Sequence, residues 1–290
     1  MKRWFTILLP LLLVGCVNSN EQNDAPLVVE QIPEQITVQF EQPSSRTMVQ
    51  EDRYICWTEG DEISYFPHQN VNLQYRLQSV DGETAKFTRI STPDASSEKL
   101  DLGYAVYPYA ENVAVLANGD VKVQLPAMQY YAEESFGVGA TTMVAVSEQS
   151  GATLRFKSIV GFLKLQLYGS EVVVKRIEFR GNRGEKLAGE AVVGNLKDAV
   201  SSVTMGASAT DVVTLDCGEG VRVSGDKSNP TAFWLALPSQ LFEEGFSITI
   251  YDDKGTPHVK SSSKPYTTYR NMIQPMKAVD VVGDTLLDIE

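Results

Sequence analysis

Ile36-Thr37-Val38-Gln39-Phe40 sets an apolar side chain at every second position and a polar one between. Successive side chains of a strand leave opposite faces, so a period of two marks a β-strand with one side buried. The pattern returns at Leu73, Tyr75 and Leu77, at Val121, Val123 and Leu125, and at Leu163, Leu165 and Leu167. It recurs at Ile177 with Phe179, and at Phe246, Ile248 and Ile250. Asp81-Gly82, Asn118-Gly119 and Asp253-Lys254-Gly255 fall between runs and supply the positive φ that tight hairpins require. No segment holds an i, i+3, i+4, i+7 apolar stripe. The best helical stretches, 132–136 and 196–199, amount to a turn or two. Strands without crossover helices predict an all-β chain of antiparallel β-sandwiches.

Toward the N-terminus the composition changes twice. Residues 17–35 are rich in Asn, Gln, Glu and Pro, with Leu27-Val28-Val29 as their one apolar cluster, which predicts a tether rather than a folded unit. Ahead of it, Met1-Lys2-Arg3 precedes an apolar run from Trp4 to Val14, broken by Thr6 and Pro10. A spanning helix needs about 20 apolar residues, so the run reads as the core of an export signal. Leu13-Val14-Gly15-Cys16 resembles the lipobox of bacterial lipoproteins, in which the cysteine is acylated and becomes the new N-terminus. The alternative is a general secretory signal with an incidental cysteine. Two or three acyl chains on Cys16 would make attachment effectively permanent. Val17 brings no acidic inner-membrane retention signal, which favours the outer membrane or cell surface.

The chain has 290 residues, 43% hydrophobic and 21% charged, enough to bury a core. Removing residues 1–15 takes away Lys2 and Arg3, leaving 23 basic residues against 37 acidic, a net charge of −14. A surface of that sign repels nucleic acid and anionic lipid. With Cys16 acylated, Cys56 and Cys217 remain, and they are expected as buried thiols rather than a disulfide framework. His68 and His258 lie near no cysteine, so zinc-type spacing is absent.

Motifs of catalysis are missing: no Gly-x-Ser-x-Gly elbow, no His-Glu-x-x-His, no phosphate loop and no Gly-x-Gly-x-x-Gly. Asp252-Asp253-Lys254-Gly255 has the start of a calcium loop, but Pro257 and His258 stand where later ligands belong, so it reads as a hairpin turn. Glu133-Glu134 and Glu243-Glu244 are adjacent acids that a strand would point to opposite faces, so neither forms an acid/base pair and both read as solvated surface. Neither cofactor nor enzymatic activity is expected. Tyr104, Tyr107, Tyr109, Tyr130, Tyr131, Tyr266 and Tyr269 are mainly core or strand residues, a subset of which could form a binding surface. Trp57 and Trp234 read as core anchors, one for each sandwich. Ser201 to Thr210, full of Ser, Ala, Gly and Thr, reads as a long exposed loop. The expected organisation is a signal peptide at 1–15, a lipidated tether at 16–35, an N-terminal sandwich at 36–158 and a C-terminal sandwich at 159–290.

A set of short motifs, in order, resembles the fimbrillin family of surface lipoproteins, the subunits of lipoprotein-derived pili. They are Trp57-Thr58-Glu59-Gly60-Asp61-Glu62-Ile63, Tyr104-Ala105-Val106-Tyr107-Pro108-Tyr109 and Leu125-Pro126-Ala127-Met128-Gln129. Met143-Val144-Ala145, Phe156 through Gly169, Leu187-Ala188-Gly189, and Leu237-Pro238 ahead of Gly245-Phe246 follow. The resemblance implies two tandem transthyretin-like β-sandwiches and export to the outer membrane. It also implies, for polymerising members, cleavage by an arginine-specific protease that removes the first strand, so that a strand of the next subunit can take its place. Arg46, with Thr47 behind it, matches the cleavage position, the alternative being an ordinary loop arginine. Ile36, Val38 and Phe40 would belong to the strand that leaves. Val279 and Val281, in the stretch from Met276 to Ile289, would belong to a donor strand, or else to a last strand with a frayed tail. Expected partners are therefore a covalent lipid at Cys16, the outer membrane, and other pilus subunits or copies of the chain by β-strand addition, with no nucleic acid. The resulting expectation is a structural or adhesive pilus subunit at the cell surface. The alternative is a monomeric anchored lipoprotein that binds glycan or host protein through aromatics.

Overall fold

The alternation at 36–40 becomes strand β1 (Gln35–Phe40), with Ile36 and Val38 buried beneath half-exposed Thr37 and Gln39. It belongs to a computed structural model that describes residues 32–41, 56–92, 99–147, 153–198 and 201–287. Cys16, Arg46 and Thr47, the signal peptide and nearly all of the tether lie outside the described residues. Next come β2 (Glu62–His68), β3 (Leu73–Asp81), β4 (Thr84–Arg89) and β5 (Lys99–Tyr107). β3 turns into β4 at Asp81-Gly82, where Gly82 has a φ of 57°. Four short strands follow: β6 (Ala114–Val115), β7 (Val121–Leu125), β8 (Met128–Ala132) and β9 (Ser135–Phe136). The chain then returns through β10 (Met143–Val146) and β11 (Leu154–Ser158). Seven of these strands close on themselves in the order β1-β11-β10-β5-β2-β3-β4, with β4 pairing back to β1.

The second half begins with β12 (Val160–Tyr168), β13 (Val173–Gly181), β14 (Gly189–Gly194), β15 (Ser202–Met205) and β16 (Val213–Arg222). It continues with β17 (Thr231–Pro238), β18 (Leu241–Phe242), β19 (Phe246–Asp252) and β20 (Pro257–Ser262). Last come β21 (Tyr266–Thr267), β22 (Ile273–Pro275) and β23 (Val279–Asp280). Its main sheets run β20-β19-β13-β16-β8-β9, β15-β14-β7-β6, and β17-β12-β22 with β23 also beside β12. The architecture is all-β, and no helix occurs among the described residues. Most pairings are antiparallel, but β1·β11, β8·β16, β12·β22 and β12·β23 are parallel. Only Ile159 separates β11 from β12, and β7 and β8, which precede it, pair with β14 and β16, which follow it.

Three apolar clusters fill the molecule. The barrel encloses Val38, Ile63, Tyr75, Phe87 and Phe156 around Trp57. A second core, with Leu163, Leu165, Leu167, Phe179, Leu235 and Ile248, lies under the large sheet. The third, between them, joins Val106, Val121, Val123, Phe162, Val193 and Trp234. It exists because β17 is buried on both sides, Phe233 and Leu235 facing one cluster and Ala232 and Trp234 the other. Trp57 and Trp234 are both buried anchors, but Trp234 serves this middle cluster. Gln129 locks β8 across it: its amide nitrogen donates to Ala236 O at 2.7 Å, and its amide oxygen accepts from Ala236 N–H at 2.9 Å. A buried amide satisfied in both senses against another strand's backbone accounts for this residue type at the end of the Leu125–Gln129 motif.

Two expectations are corrected. Ser202 to Met205 is not loop but β15, an edge strand on β14 whose Val203 and Met205 pack on the middle core and outweigh a small, polar composition. Glu133-Glu134 and Glu243-Glu244 are exposed as expected, in turns, and Arg183 pairs with both members of the second pair. Cys56 is exposed and belongs to no strand, whereas Cys217 is buried as expected. Burial pushes the Cys217 thiol up to about 12, with Asp216 adding to the effect.

Candidate strand-exchange site

β1 occupies a slot between β4 and β11. On one side it is antiparallel to β4 from Gln35↔Thr88 to Gln39↔Thr84. On the other it is parallel to β11 over Val38↔Leu154, Gln39↔Arg155 and Phe40↔Phe156. The two ladders differ in length, so the first half of β1 has a neighbouring strand on one side only. There a cleft of about 150 Å³ opens between Gln35, Ile36 and Thr37 and the opposing Ser147, Thr153 and Leu154.

The inner face of β1 closes an aromatic cage. Phe40 stacks on Trp57 with ring centroids 4.6 Å apart, and Trp57 meets Phe87, Tyr107 and Phe156 edge-on at 5.0, 5.3 and 5.5 Å. Trp57 is held by the turn that follows it. Gly60 adopts a φ of 89°, and Asp61, 5% exposed, accepts from Thr58 N–H at 2.8 Å and from the Tyr107 hydroxyl at 2.9 Å. The motifs around Trp57 and Tyr107 are thus two halves of one device that fixes the floor beneath β1. Burial, and then the adjoining Asp61 carboxylate, raise the Tyr107 pKa.

Both ends of β1 are fastened. Before it, the Tyr75 hydroxyl donates to Pro33 O at 2.5 Å, and Arg89 reaches Glu34 O through its backbone N–H and Ile32 O through its guanidinium. Behind it, Glu41 N–H donates to Phe156 O at 2.8 Å, and the Glu41 carboxylate takes both terminal nitrogens of Arg270, one of them at 3.0 Å. Glu41 and Arg270 are only 16% and 18% exposed, and bidentate charge-assisted bonds of this kind are the strong ones. No local pattern marks this latch, because its partners stand 229 residues apart.

The structure places the expected exchange residues in two locations. Ile36, Val38 and Phe40 line the slot. Val279 and Val281 sit in the second core, 3% and 0% exposed, with Val279 opposite Leu167 and Val281 N–H donating to Tyr168 O at 2.9 Å. Beyond them the tail lies along β20, where Ser261 N–H donates to Thr285 O and Leu287 N–H to Ser261 O. Among the described residues no group of three or more His, Cys, Asp or Glu could hold a metal, and no helix is long and apolar enough to cross a membrane. Of the tyrosines considered for a binding surface, Tyr130 and Tyr269 are more than half exposed, while Tyr107 and Tyr266 are buried.

No family model matches the chain, and no curated protein matches it. Among solved structures, a candidate cell adhesion protein of Bacteroides ovatus is similar at a TM-score of 0.48 and 12% identity, covering 81% of this chain and 86% of that one. Another from Bacteroides uniformis gives 0.47 and 13%, covering 81% and 92%. The tip fimbrial protein of Porphyromonas gingivalis, C-terminally truncated, gives 0.36 and 9%, covering 84% and 94%. At these scores none of the likenesses carries an argument here.

Proposed function

We propose that the chain is a fimbrillin-like structural or adhesive subunit of a cell-surface pilus, non-enzymatic, exported as a lipoprotein through Cys16 and assembled by strand exchange. The observation that carries this reading is that β1, the first strand of the fold, closes the barrel while the segment bearing Arg46 follows it directly. Cutting after Arg46 would free the piece that holds β1 and leave the rest of the barrel covalently whole. Burying an apolar side chain is worth roughly 1.5–3 kcal/mol, so Ile36 and Val38 together contribute on the order of 4 kcal/mol. That is a large share of a domain stability of about 5–15 kcal/mol. A slot emptied of them, flanked by unpaired backbone on β4 and β11, strongly favours a replacement strand.

Treatment with an arginine-specific protease tests the reading. The expected result is a new N-terminus at Thr47 and a ladder of polymers on unheated detergent gels. Survival of the precursor, or cutting elsewhere with Arg46 spared, counts against it. The burial of Val279 and Val281 favours a second reading, a monomeric anchored lipoprotein whose exposed Tyr130 and Tyr269 contact glycan or host protein. In that case the cut chain gives no ladder.

A further inference from the structure

On the outer face of β11, the strand that walls the β1 slot, Arg155 and Lys157 converge with Lys197 on a surface cavity of about 270 Å³ bordered by Val146, Ser147 and Leu196. The convergence follows from strand geometry. Leu154, Phe156 and Ser158 of β11 are buried, so Arg155 and Lys157 between them share the outer face. Lys197 comes from the turn after β14, closed by Asp198 N–H donating to Asn195 O. Lys157 cinches that turn to β11 by donating to Leu196 O at 2.9 Å and Asp198 O at 2.6 Å. An ammonium has three donors, so one remains.

Among the described residues these cations have no carboxylate partner, whereas Arg76, Arg180, Arg183 and Arg222 each pair with one. On a chain of net charge −12, three like charges brought together form a local exception. Lys175 provides an internal control. It too is clamped by two carbonyls, Gly218 O and Glu219 O, so that feature alone is structural. What sets Lys157 apart is the concavity and the two further cations.

We propose that this cavity binds one acidic sugar unit, a single ring bearing a carboxylate or a sulfate. Pockets for larger ligands measure about 300–1,000 Å³, so the space suits one ring rather than a long chain. Arg155 offers a planar fork that matches either oxyanion. Val146 and Leu196 supply apolar contact for the C–H face of a ring, and Ser147, whose oxygen accepts from Gly103 N–H at 2.9 Å, keeps its own proton to donate. The proposal is independent of strand exchange.

Calorimetric titration of the full chain with glucuronate, galactose 6-sulfate, glucose and inorganic sulfate tests it. At least one acidic sugar should bind about tenfold or more tighter than glucose, and its affinity should fall as salt rises. The double variant R155Q/K197Q should lose about tenfold or more in that affinity with an unchanged melting temperature, whereas Lys175→Gln should lose none. Equal binding of glucose and the acidic sugars, retained affinity in the double variant, or inorganic sulfate binding as tightly as both acidic sugars would overturn it, the last reducing the cavity to a simple counter-ion site.

Discussion

The first and last strands of the fold are held in opposite ways. β1 is six residues long with ladders on both sides, so much of its attachment is backbone pairing that any chain of similar pattern could copy. β23 is two residues long with one parallel neighbour, yet Met276, Val279 and Val281 around it are almost wholly buried. It is held by side chains fitted to one core. Replaceability thus depends on what a strand leaves behind: β1 would leave a slot with two waiting edges, β23 a set of holes in a packed interior. A donor role for Val279 and Val281 requires that they first come out of that interior.

The largest effect should come from the floor of the slot. Trp57→Ala removes the ring that touches Phe40, Phe87, Tyr107 and Phe156 and should cost about 3–5 kcal/mol. Hydrogen exchange followed by mass spectrometry should show β1 amides losing protection while those near β23 keep theirs. Met276→Ala should do the reverse. If both variants loosen both strands equally, the two attachments are not separate.

A smaller effect is expected at the latch. Glu41→Gln keeps the shape and removes the charge facing Arg270, at a cost of about 1.5–3 kcal/mol for a charge-assisted bond. Exchange at the end of β1 should rise, and a labelled peptide copying residues 32–41 should enter the protein faster than in the parent chain. An unchanged rate would mean that the latch does not hold the strand.

Much of this contrast was legible in the sequence, and its limits are physical. Ile36, Val38 and Phe40 declare a strand because a period of two is local, and the turns at Gly82, Gly119 and Gly255 declare themselves through backbone freedom, with φ of 57°, 83° and 78°. Pairing is not local. Val121, Val123 and Leu125 read correctly as a strand, but nothing in them says that β7 leaves the barrel for β14. The parallel partner of β1 and the bond from Glu41 to Arg270 were likewise invisible, since each residue looks like ordinary strand or surface by itself. Burial on both faces of β17 could have been suspected from the unbroken run Ala232 to Leu237, the signal that announces the middle core. Cys16, Arg46 and Thr47 remain readings of sequence and resemblance.

The finest distinction between the two ends concerns protons. Tyr75, which holds Pro33 O ahead of β1, has its pKa raised above the ordinary 10.0, first by burial and then by Tyr65, with Arg89 opposing; burial raises Tyr65 as well. A phenol whose pKa is higher in the folded state adds stability that is complete below pH 10 and is lost as pH climbs toward the folded value. The loss is up to about 1.4 kcal/mol per pH unit for each tyrosine kept neutral. Once ionised, Tyr75 can no longer donate to Pro33 O, and a phenolate would face a carbonyl. Tyr266 in the second core is raised by burial too, but its hydroxyl bonds to no described residue, so its titration breaks no tie to β23. Raising the pH above 10 should therefore free β1 before β23, and Tyr75→Phe, already lacking the bond, should flatten that dependence. Should β23 amides open first under alkali, the Tyr75 anchor does not govern the start of the barrel.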